Sequence, residues 1–317
     1  MGIFLRQEDV VRLLPVSEAI DSLEKAFKEQ GNGTGLNHPR FRAQSEGLGV
    51  NMMVGVLGGL GVAGWKGSGG NYGNTMVWLY GGENKEFLAV MEASELGQIR
   101  TGAASGLATK YMARKEASSV GVIGTGHQAI SQLTAVCAVR SIKTIKAFSR
   151  NPDRREEFCR RMSDLLGIEV IPTTSAREAV KGTDIAIAIT NVRTLDPVIL
   201  GEWLEPGMHL NAAGANSLNR RELDDLAVTR SSIIAADAKE QAMIECADLV
   251  LPIDSGLMSW DNVLELGQIV SGRNPGRTNA EEITLFESQG IGLEDVAVAA
   301  HIYEKATADG SGIKLPF

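Results

Sequence analysis

Cysteine is scarce in this chain. Three thiols, Cys137, Cys159 and Cys246, are scattered through 317 residues, and no CxxC pair or Cys/His ligand spacing connects them. An odd, dispersed set argues against a disulfide framework and against a bound zinc, so no metal is expected. The thiols read as small hydrophobes in a reducing compartment, which makes a cytoplasmic protein the expectation. Positive charge is also lacking. A formal net charge of -8 excludes the electrostatic footprint of a nucleic-acid binder and disfavours an anionic membrane surface. The one basic cluster, Arg154, Arg155, Arg160 and Arg161, is interleaved with Glu156 and Glu157 and reads as the solvated face of a helix. Long uncharged apolar runs are missing as well. Residues 1–10 carry charge where a signal peptide needs an apolar core, and the glycine-rich stretch 54–73 is unsuited to spanning a bilayer. No internal repeat, low-complexity segment, Ser/His/Asp set or Cys/His set emerges.

What is present begins with Ser119-Val120-Gly121-Val122-Ile123-Gly124-Thr125-Gly126-His127-Gln128-Ala129. The run 120–123 predicts a buried parallel strand that breaks at Gly124, turns through Gly126 and enters a helix near Gln128. Gly124 suits a tight turn, Gly126 removes a Cβ from the path of a pyrophosphate, and Ala129 lets helix and strand approach. The helix start offers unpaired N–H groups to phosphate. Framed in this way, G-x-G-x-x-A points to dinucleotide binding. A purely structural strand-turn-helix is the competing explanation, and S-adenosylmethionine is a further ligand for such a loop.

From residue 120 onward, strands are predicted at 120–123, 144–148, 169–171, 184–189, 208–212 and 233–236. Helices are predicted between them at 128–139, 152–166 and 175–181, the last opening on the capping box Ser175-Ala176-Arg177-Glu178. Repeated βα units predict an α/β fold with a Rossmann doubly wound parallel sheet over 116–292. The first 115 residues read differently. Ser17 is placed as the cap of a helix to about Gln30. A polar loop carries Pro39-Arg40-Phe41-Arg42. Strand-like pieces at 49–56, 62–66, 75–80 and 86–91 suggest a mostly antiparallel sheet, with a hairpin signal at Gly81-Gly82-Glu83-Asn84. A long helix, 94–113, follows. The tail helix, 293–308, has Val296, Ala299, Ala300 and Tyr303 on one face and is expected to fold back on the first part. That makes a discontinuous α+β domain of 1–115 plus about 293–317, for substrate binding and dimerisation.

The second Rossmann strand ends in Ser149-Arg150 where an NAD-binding unit commonly carries an acid. A hydroxyl and a guanidinium favour a 2′-phosphate, so NADP (NADPH) is expected over NAD (NADH), with Arg154 close behind. Alternatively, Arg150 is a surface charge and Asp153 reaches the ribose. Three cations lie in surroundings that do not explain them as surface charge. Lys66 follows Val62-Ala63-Gly64-Trp65. Arg100 interrupts a helix of small residues from Ile99 to Leu107. Arg40 follows Pro39 with few acids nearby. A guanidinium against a packed helix needs an anion. Either a structural salt bridge, for instance to Glu92 or Glu95, or a substrate carboxylate meets that need. His127 contacts pyrophosphate or solvent, His209 is a core residue, His38 is a remote substrate candidate, and His301 lies on a helix surface.

With these residues in view, the chain resembles the ornithine cyclodeaminase/mu-crystallin family over nearly its whole length. The likeness rests on Ile99-Arg100-Thr101-Gly102-Ala103-Ala104-Ser105, Tyr111-Met112-Ala113-Arg114 and Gly124-Thr125-Gly126-His127-Gln128-Ala129. Pro39-Arg40, Gly64-Trp65-Lys66 with Asn71, Asn211 to Asn216, Arg221-Glu222-Leu223-Asp224 and Ile283 to Gly290 support it. The resemblance implies a homodimer, a nicotinamide cofactor and chemistry at the α-carbon of a small amino or imino acid. It implies that Arg40, Lys66 and Arg100 bind the substrate carboxylate. Thr101 and the loop Gly124, Thr125, Gly126, His127 and Gln128 would hold pyrophosphate, and Thr190 and Asn191 would lie along the nicotinamide ribose. The family's cyclodeaminases and archaeal alanine dehydrogenases carry an aspartate where Asn216 stands. The acid expected between Arg40 and Lys66 is also missing, with Asn51 or Met52 near its place. An amide cannot take a proton, though it can orient a nitrogen or a water. The expected activity is therefore NAD(P)H-dependent imino-acid (ketimine) reduction or L-amino-acid dehydrogenation. Ornithine cyclodeaminase and a non-enzymatic, NADPH-binding crystallin-like protein are the alternatives.

Overall fold

The chain folds around two sheets, seen in a computed structural model that describes residues 2–69 and 75–316; Asn71, named above, lies outside them. The first sheet takes β1 (Ile3–Leu5), β2 (Gly35–Ser45), β3 (Leu48–Leu57), β4 (Val62–Gly69), β5 (Met76–Gly81) and β6 (Glu86–Glu92). The second takes β7 (Ser119–Ile123), β8 (Thr144–Phe148), β9 (Val170–Pro172), β10 (Ile185–Ala188), β11 (His209–Ala212), β12 (Ile233–Ala236), β13 (Val263–Glu265) and β14 (Thr284–Glu287). The chain then returns as β15 (Ile313–Lys314), which pairs antiparallel with β1 at the edge of the first sheet.

In the first sheet, β2 to β6 form an antiparallel meander, and β1 joins β6 in parallel. Its two faces differ by the strand period. The row Met53–Lys66–Val77–Met91 faces inward, and the neighbouring row Val54–Trp65–Trp78–Val90 faces outward. Trp65 stacks on Trp78 and on Tyr80 there. The last helix, Gly292–Asp309, lies across the inner face. It comes so close that a Cβ on Gly55 would stand 2.6 Å from Leu293 backbone, and one on Gly292 2.5 Å from Val54 backbone.

The second sheet is parallel throughout, in the order β13-β12-β14-β11-β10-β7-β8-β9. Strand order reverses at β7, between β8 and β10, which is where a doubly wound sheet opens a crevice beyond its carboxyl ends. Helices cover both faces, so Val120, Val122, Ile185, Ile187 and Leu210 are fully buried and the strands read as continuous apolar runs.

Three expectations change. Arg40 lies on β2, not in a loop: β2 is an edge strand with a register break between His38 and Phe41, and an edge tolerates Pro39. Pro15, not Ser17, is the N-cap of the helix Val16–Asn32, leaving Ser17 inside the first turn. Strands β13 and β14 were not anticipated, although β14 sits between β11 and β12. All three cysteines are free. Among the described residues, no helix is long and apolar enough to cross a membrane.

Candidate active site

The glycine loop leaves β7 at Gly124, whose φ of 108° admits glycine, and a Cβ there would stand 2.1 Å from the Ile189 carbonyl oxygen at the end of β10. Its N–H donates to the Phe148 carbonyl at 2.9 Å, joining the loop to the end of β8. Gly126 is the N-cap of the helix His127–Val139, and a Cβ there would meet no protein atom within 4 Å. An open approach to backbone at a helix amino end is the cradle a pyrophosphate requires. These residues therefore fit a dinucleotide.

Around this cradle, Thr125 donates its hydroxyl proton to Ser149 Oγ at 2.7 Å, so loop and strand end are in contact. Arg150 and Arg154 are both exposed beside them. Arg155, read from sequence as part of a solvated face, donates to the Ser149 carbonyl at 2.8 Å, and its guanidinium stands 5.6 Å from the Phe148 ring centroid. The Gln98 amide donates to the His127 carbonyl, tying the connecting helix Ser94–Met112 to the loop. Thr101 is buried there, with its hydroxyl donated to the Gly97 carbonyl at 2.7 Å. The His127 ring is mostly exposed, 3.5 Å from Glu95. Gln128 keeps a buried Oε1 with no partner. Across the crevice, Thr190 donates both its N–H and its hydroxyl to Glu222, each at 2.6 Å, while Asn191 is exposed.

The three cations converge. Lys66, on the inner face of β4, reaches Asp295 through Nζ at 2.8 and 2.9 Å from its two oxygens. Arg100 donates Nε to the same Asp295 at 2.9 Å and Nη1 to Glu294 at 2.7 Å. The sequence offered Glu92 or Glu95 as salt-bridge partners for Arg100. Its partners are instead two acids from the last helix, far away along the chain. Arg40 Nη1 stands 2.9 Å from Glu245, and its Nη2 donates to the carbonyls of Gln289 and Gly290 at 2.8 and 3.1 Å. Arg42 shares Glu245 at 2.5 Å. Asp237, at the carboxyl end of β12, accepts the N–H groups of Gly290 and Ala238 at 2.6 and 2.8 Å. The cations of the first sheet therefore face the segments that follow β12 and β14, at the carboxyl edge of the second sheet.

Burial shapes the charges here. Desolvation, with Arg100 close by, pushes Lys66 down to about 8, although Asp295 opposes the shift. Burial also works against Arg100, but Asp295 and Glu294 more than offset it and hold that guanidinium above its ordinary value. Arg40 is lowered by burial, against the pull of Glu245. Burial raises Glu294 to about 8 despite Arg100, and raises Asp237 to about 6 despite its N–H donors.

Asn216, in the loop after β11, accepts a hydrogen bond from Arg220 through Oδ1, and its carbonyl accepts from Arg42 Nη2 at 3.3 Å. It is thus brought to Arg42 and, through it, to the neighbourhood of Arg40. Asn51 faces Arg42 across β2 and β3 and has a buried, unpartnered Oδ1. His38 is exposed, and His209 is fully buried, pushed down to about 3 first by desolvation.

Sequence spacing gave no sign of the buried acids. Cys246, Asp248 and Glu287 place their ligand-type atoms within 4.8 Å of one another. Asp248 accepts the N–H groups of Glu222 and Leu223, and burial lifts it to about 7. Only the polar residues in the otherwise apolar 283–290 and 291–302 segments hinted that carboxylates would be buried.

Comparison with known proteins agrees with this architecture. The family model described as the ornithine cyclodeaminase/mu-crystallin family matches residues 2–310. A Δ1-pyrroline-2-carboxylate reductase of Bacillus thuringiensis subsp. konkukian (strain 97-27) is 38% identical over 245 residues, 77% of this chain and 74% of the relative. The Thermococcus litoralis Δ1-pyrroline-2-carboxylate reductase, solved with NADH and L-proline, superposes with a TM-score of 0.91 at 35% identity, covering 99% of this chain and 100% of that one. An archaeal alanine dehydrogenase dimer with bound NAD gives a TM-score of 0.90 at 32% identity over 100% and 99% of the two chains. The chain belongs to the ornithine cyclodeaminase/mu-crystallin family.

Proposed function

We propose that this chain is an NAD(P)H-dependent imino-acid reductase, acting in the opposite direction as an L-amino-acid dehydrogenase on a small substrate with a free carboxylate. One observation carries the proposal: Lys66, Arg100 and Arg40 gather on buried acids directly against the carboxyl edge of the nucleotide-type sheet. Its relatives include proteins named for the reduction of a cyclic imino acid and the dehydrogenation of alanine.

A nicotinamide held by the glycine loop would supply or accept the hydride. The chain's own residues do the rest. Arg100 and Arg40 hold the substrate carboxylate and so orient the α-carbon. Lys66, lowered toward neutrality, can hand a proton to a neutral imine nitrogen and take one back from the ammonium in the reverse direction. Asn216 orients a nitrogen or a water without exchanging a proton. Cyclodeamination of ornithine needs a base where Asn216 stands and is not favoured.

The glycine loop, with Gly124, Thr125, Gly126, His127 and Gln128, is assigned to the pyrophosphate, with Thr101 behind it. Thr190 and Asn191 are assigned to the nicotinamide ribose. NADPH is proposed over NADH on the grounds that Ser149, Arg150 and Arg154 surround the place of the adenosine ribose and no acid stands at the end of β8. The pairing unit is proposed as the first sheet, whose outer face exposes Leu36, Phe41, Val50, Met52 and Val56 beside the Trp65–Trp78 stack, an apolar area suited to a second copy. The free thiols suit the cytoplasm.

The test is an NADPH- and NADH-oxidation screen of 2-oxo acids with ammonia or methylamine, together with preformed cyclic imines. Oxidation with at least one imine is the expected result. Ammonia release from ornithine with no net change in nicotinamide absorbance would overturn the proposal, as would tight cofactor binding with no turnover on any imine.

A further inference from the structure

Two glutamines flank Arg40 and leave side-chain polar atoms unanswered. Gln289 is 3% exposed. Its carbonyl accepts from Arg40 Nη2 at 2.8 Å, yet neither Nε2 nor Oε1 of its own amide has a partner. Gln241 is 1% exposed. Its Oε1 accepts the Arg40 N–H at 2.5 Å, and its Nε2 has no partner. A buried amide left without partners is costly, and folded proteins rarely retain one unless something meets it. Both amides lie on residues bonded to a cation already assigned to the substrate carboxylate, which sets them beside the place proposed for that molecule.

The local charges narrow its chemistry. A second carboxylate finds no further cation beside these amides among the described residues, because Arg40 is already assigned to the first and Arg42 pairs with Glu245. An alkyl side chain would bury three polar atoms without partners. A neutral group that both donates and accepts, a hydroxyl or a carboxamide, satisfies Gln289 in either orientation of its amide and can use the Gln241 N–H as well.

We infer that Gln289 and Gln241 form a side-chain subsite that selects 2-imino and 2-amino acids bearing a neutral hydrogen-bonding group over their purely alkyl counterparts. The inference rests on the reductase proposed above and adds the substrate class.

The experiment uses the full chain with NADP+ or NAD+ and L-amino acids paired to differ by one hydroxyl: alanine with serine, 2-aminobutyrate with homoserine, proline with 4-hydroxyproline. The reading is the ratio of kcat/KM within each pair. At least one pair should favour the hydroxylated member by about tenfold or more, as expected where a site is built to bond a substrate hydroxyl. In Gln289→Leu that ratio should fall to near unity or reverse. Gln289→Asn keeps the amide but shortens its reach. It should lower the same ratio in part, and it serves as the test if the leucine variant does not fold. Wild-type ratios at or below unity in all three pairs, or a ratio unmoved by substitution at Gln289, would overturn the subsite while leaving the reductase standing. Absence of turnover on every amino acid and on the imine panel would remove both.

Discussion

Lys66 and Arg100 share one oxygen atom, Oδ1 of Asp295, each at 2.9 Å. Asp295 comes from the last helix, Lys66 from a strand of the first sheet and Arg100 from the connecting helix, so three distant pieces of chain are fixed by one carboxylate. Two cations this close repel each other, and the buried anion between them offsets that repulsion.

Asp295→Asn keeps the shape and removes the charge. Losing one partner from a buried ion pair leaves the others uncompensated, at about 3–5 kcal/mol. Thermal stability should drop, and kcat/KM for an imino acid should fall by about a hundredfold, while NADPH affinity changes little. Glu294→Gln should cost less, because Glu294 meets Arg100 alone whereas Asp295 holds both cations. Steady-state kinetics and melting curves on both variants make the comparison. Equal damage from the two would remove the special role of Asp295.

The pH dependence has a definite sign. Lys66 is lowered to about 8, so it is charged below that pH and neutral above it. Imine reduction should be level below pH 8 and fall above it by about tenfold per unit, and amino-acid oxidation should rise toward pH 8. Glu294 titrates in the same range. The inflection should therefore survive in Glu294→Gln and vanish in Lys66→Arg, which holds a permanent charge.

Arg150 is exposed next to Ser149, and Ser149 touches the glycine loop. Arg150→Ala should weaken NADPH by about tenfold, roughly one charge-assisted contact, and leave NADH nearly unchanged. Fluorescence titrations with both cofactors measure this. Equal losses would void the 2′-phosphate assignment.

Gly290 has φ of 74°, and a Cβ added there would lie 2.6 Å from Arg100 Nη1. Gly290→Ala should combine a backbone penalty of about 1–2 kcal/mol with a displaced guanidinium. KM for the acid substrate should rise, and kcat should change less. An unchanged KM would show that Arg100 does not hold the substrate.

Much of the second sheet was legible from residue order, because its signals are local. The strands at 144–148 and 233–236 and the helix 152–166 occur with those limits, and Ser175 caps its helix by accepting the Glu178 N–H. Each depends on an apolar run and a few flanking residues. Failures came where context outweighs local pattern. Thr284–Glu287 is four residues long and ends in an acid, so nothing local marks it as an inner strand; its neighbours β11 and β12 make it one. Pro39 made β2 look like a loop because only its position at the sheet edge leaves that ring unopposed.

The candidate site divides in the same way. Lys66, Arg100 and Arg40 stood out because a cation among small and apolar residues needs an anion. Which anion was beyond reach, since the last helix reads as amphipathic through Val296, Ala299 and Ala300, while Glu294 and Asp295 lie in its first turn, where acids are commonplace. The order of residues by itself determined the glycine turn, the buried strand that feeds it and the presence of three unexplained cations, because turn geometry and burial patterns are settled within a few residues. Only the tertiary structure decided that those cations share Asp295, Glu294 and Glu245 and face the carboxyl edge of the second sheet. Charge pairing acts between atoms a few ångströms apart in space, and the chain brings those atoms together from positions some two hundred residues distant.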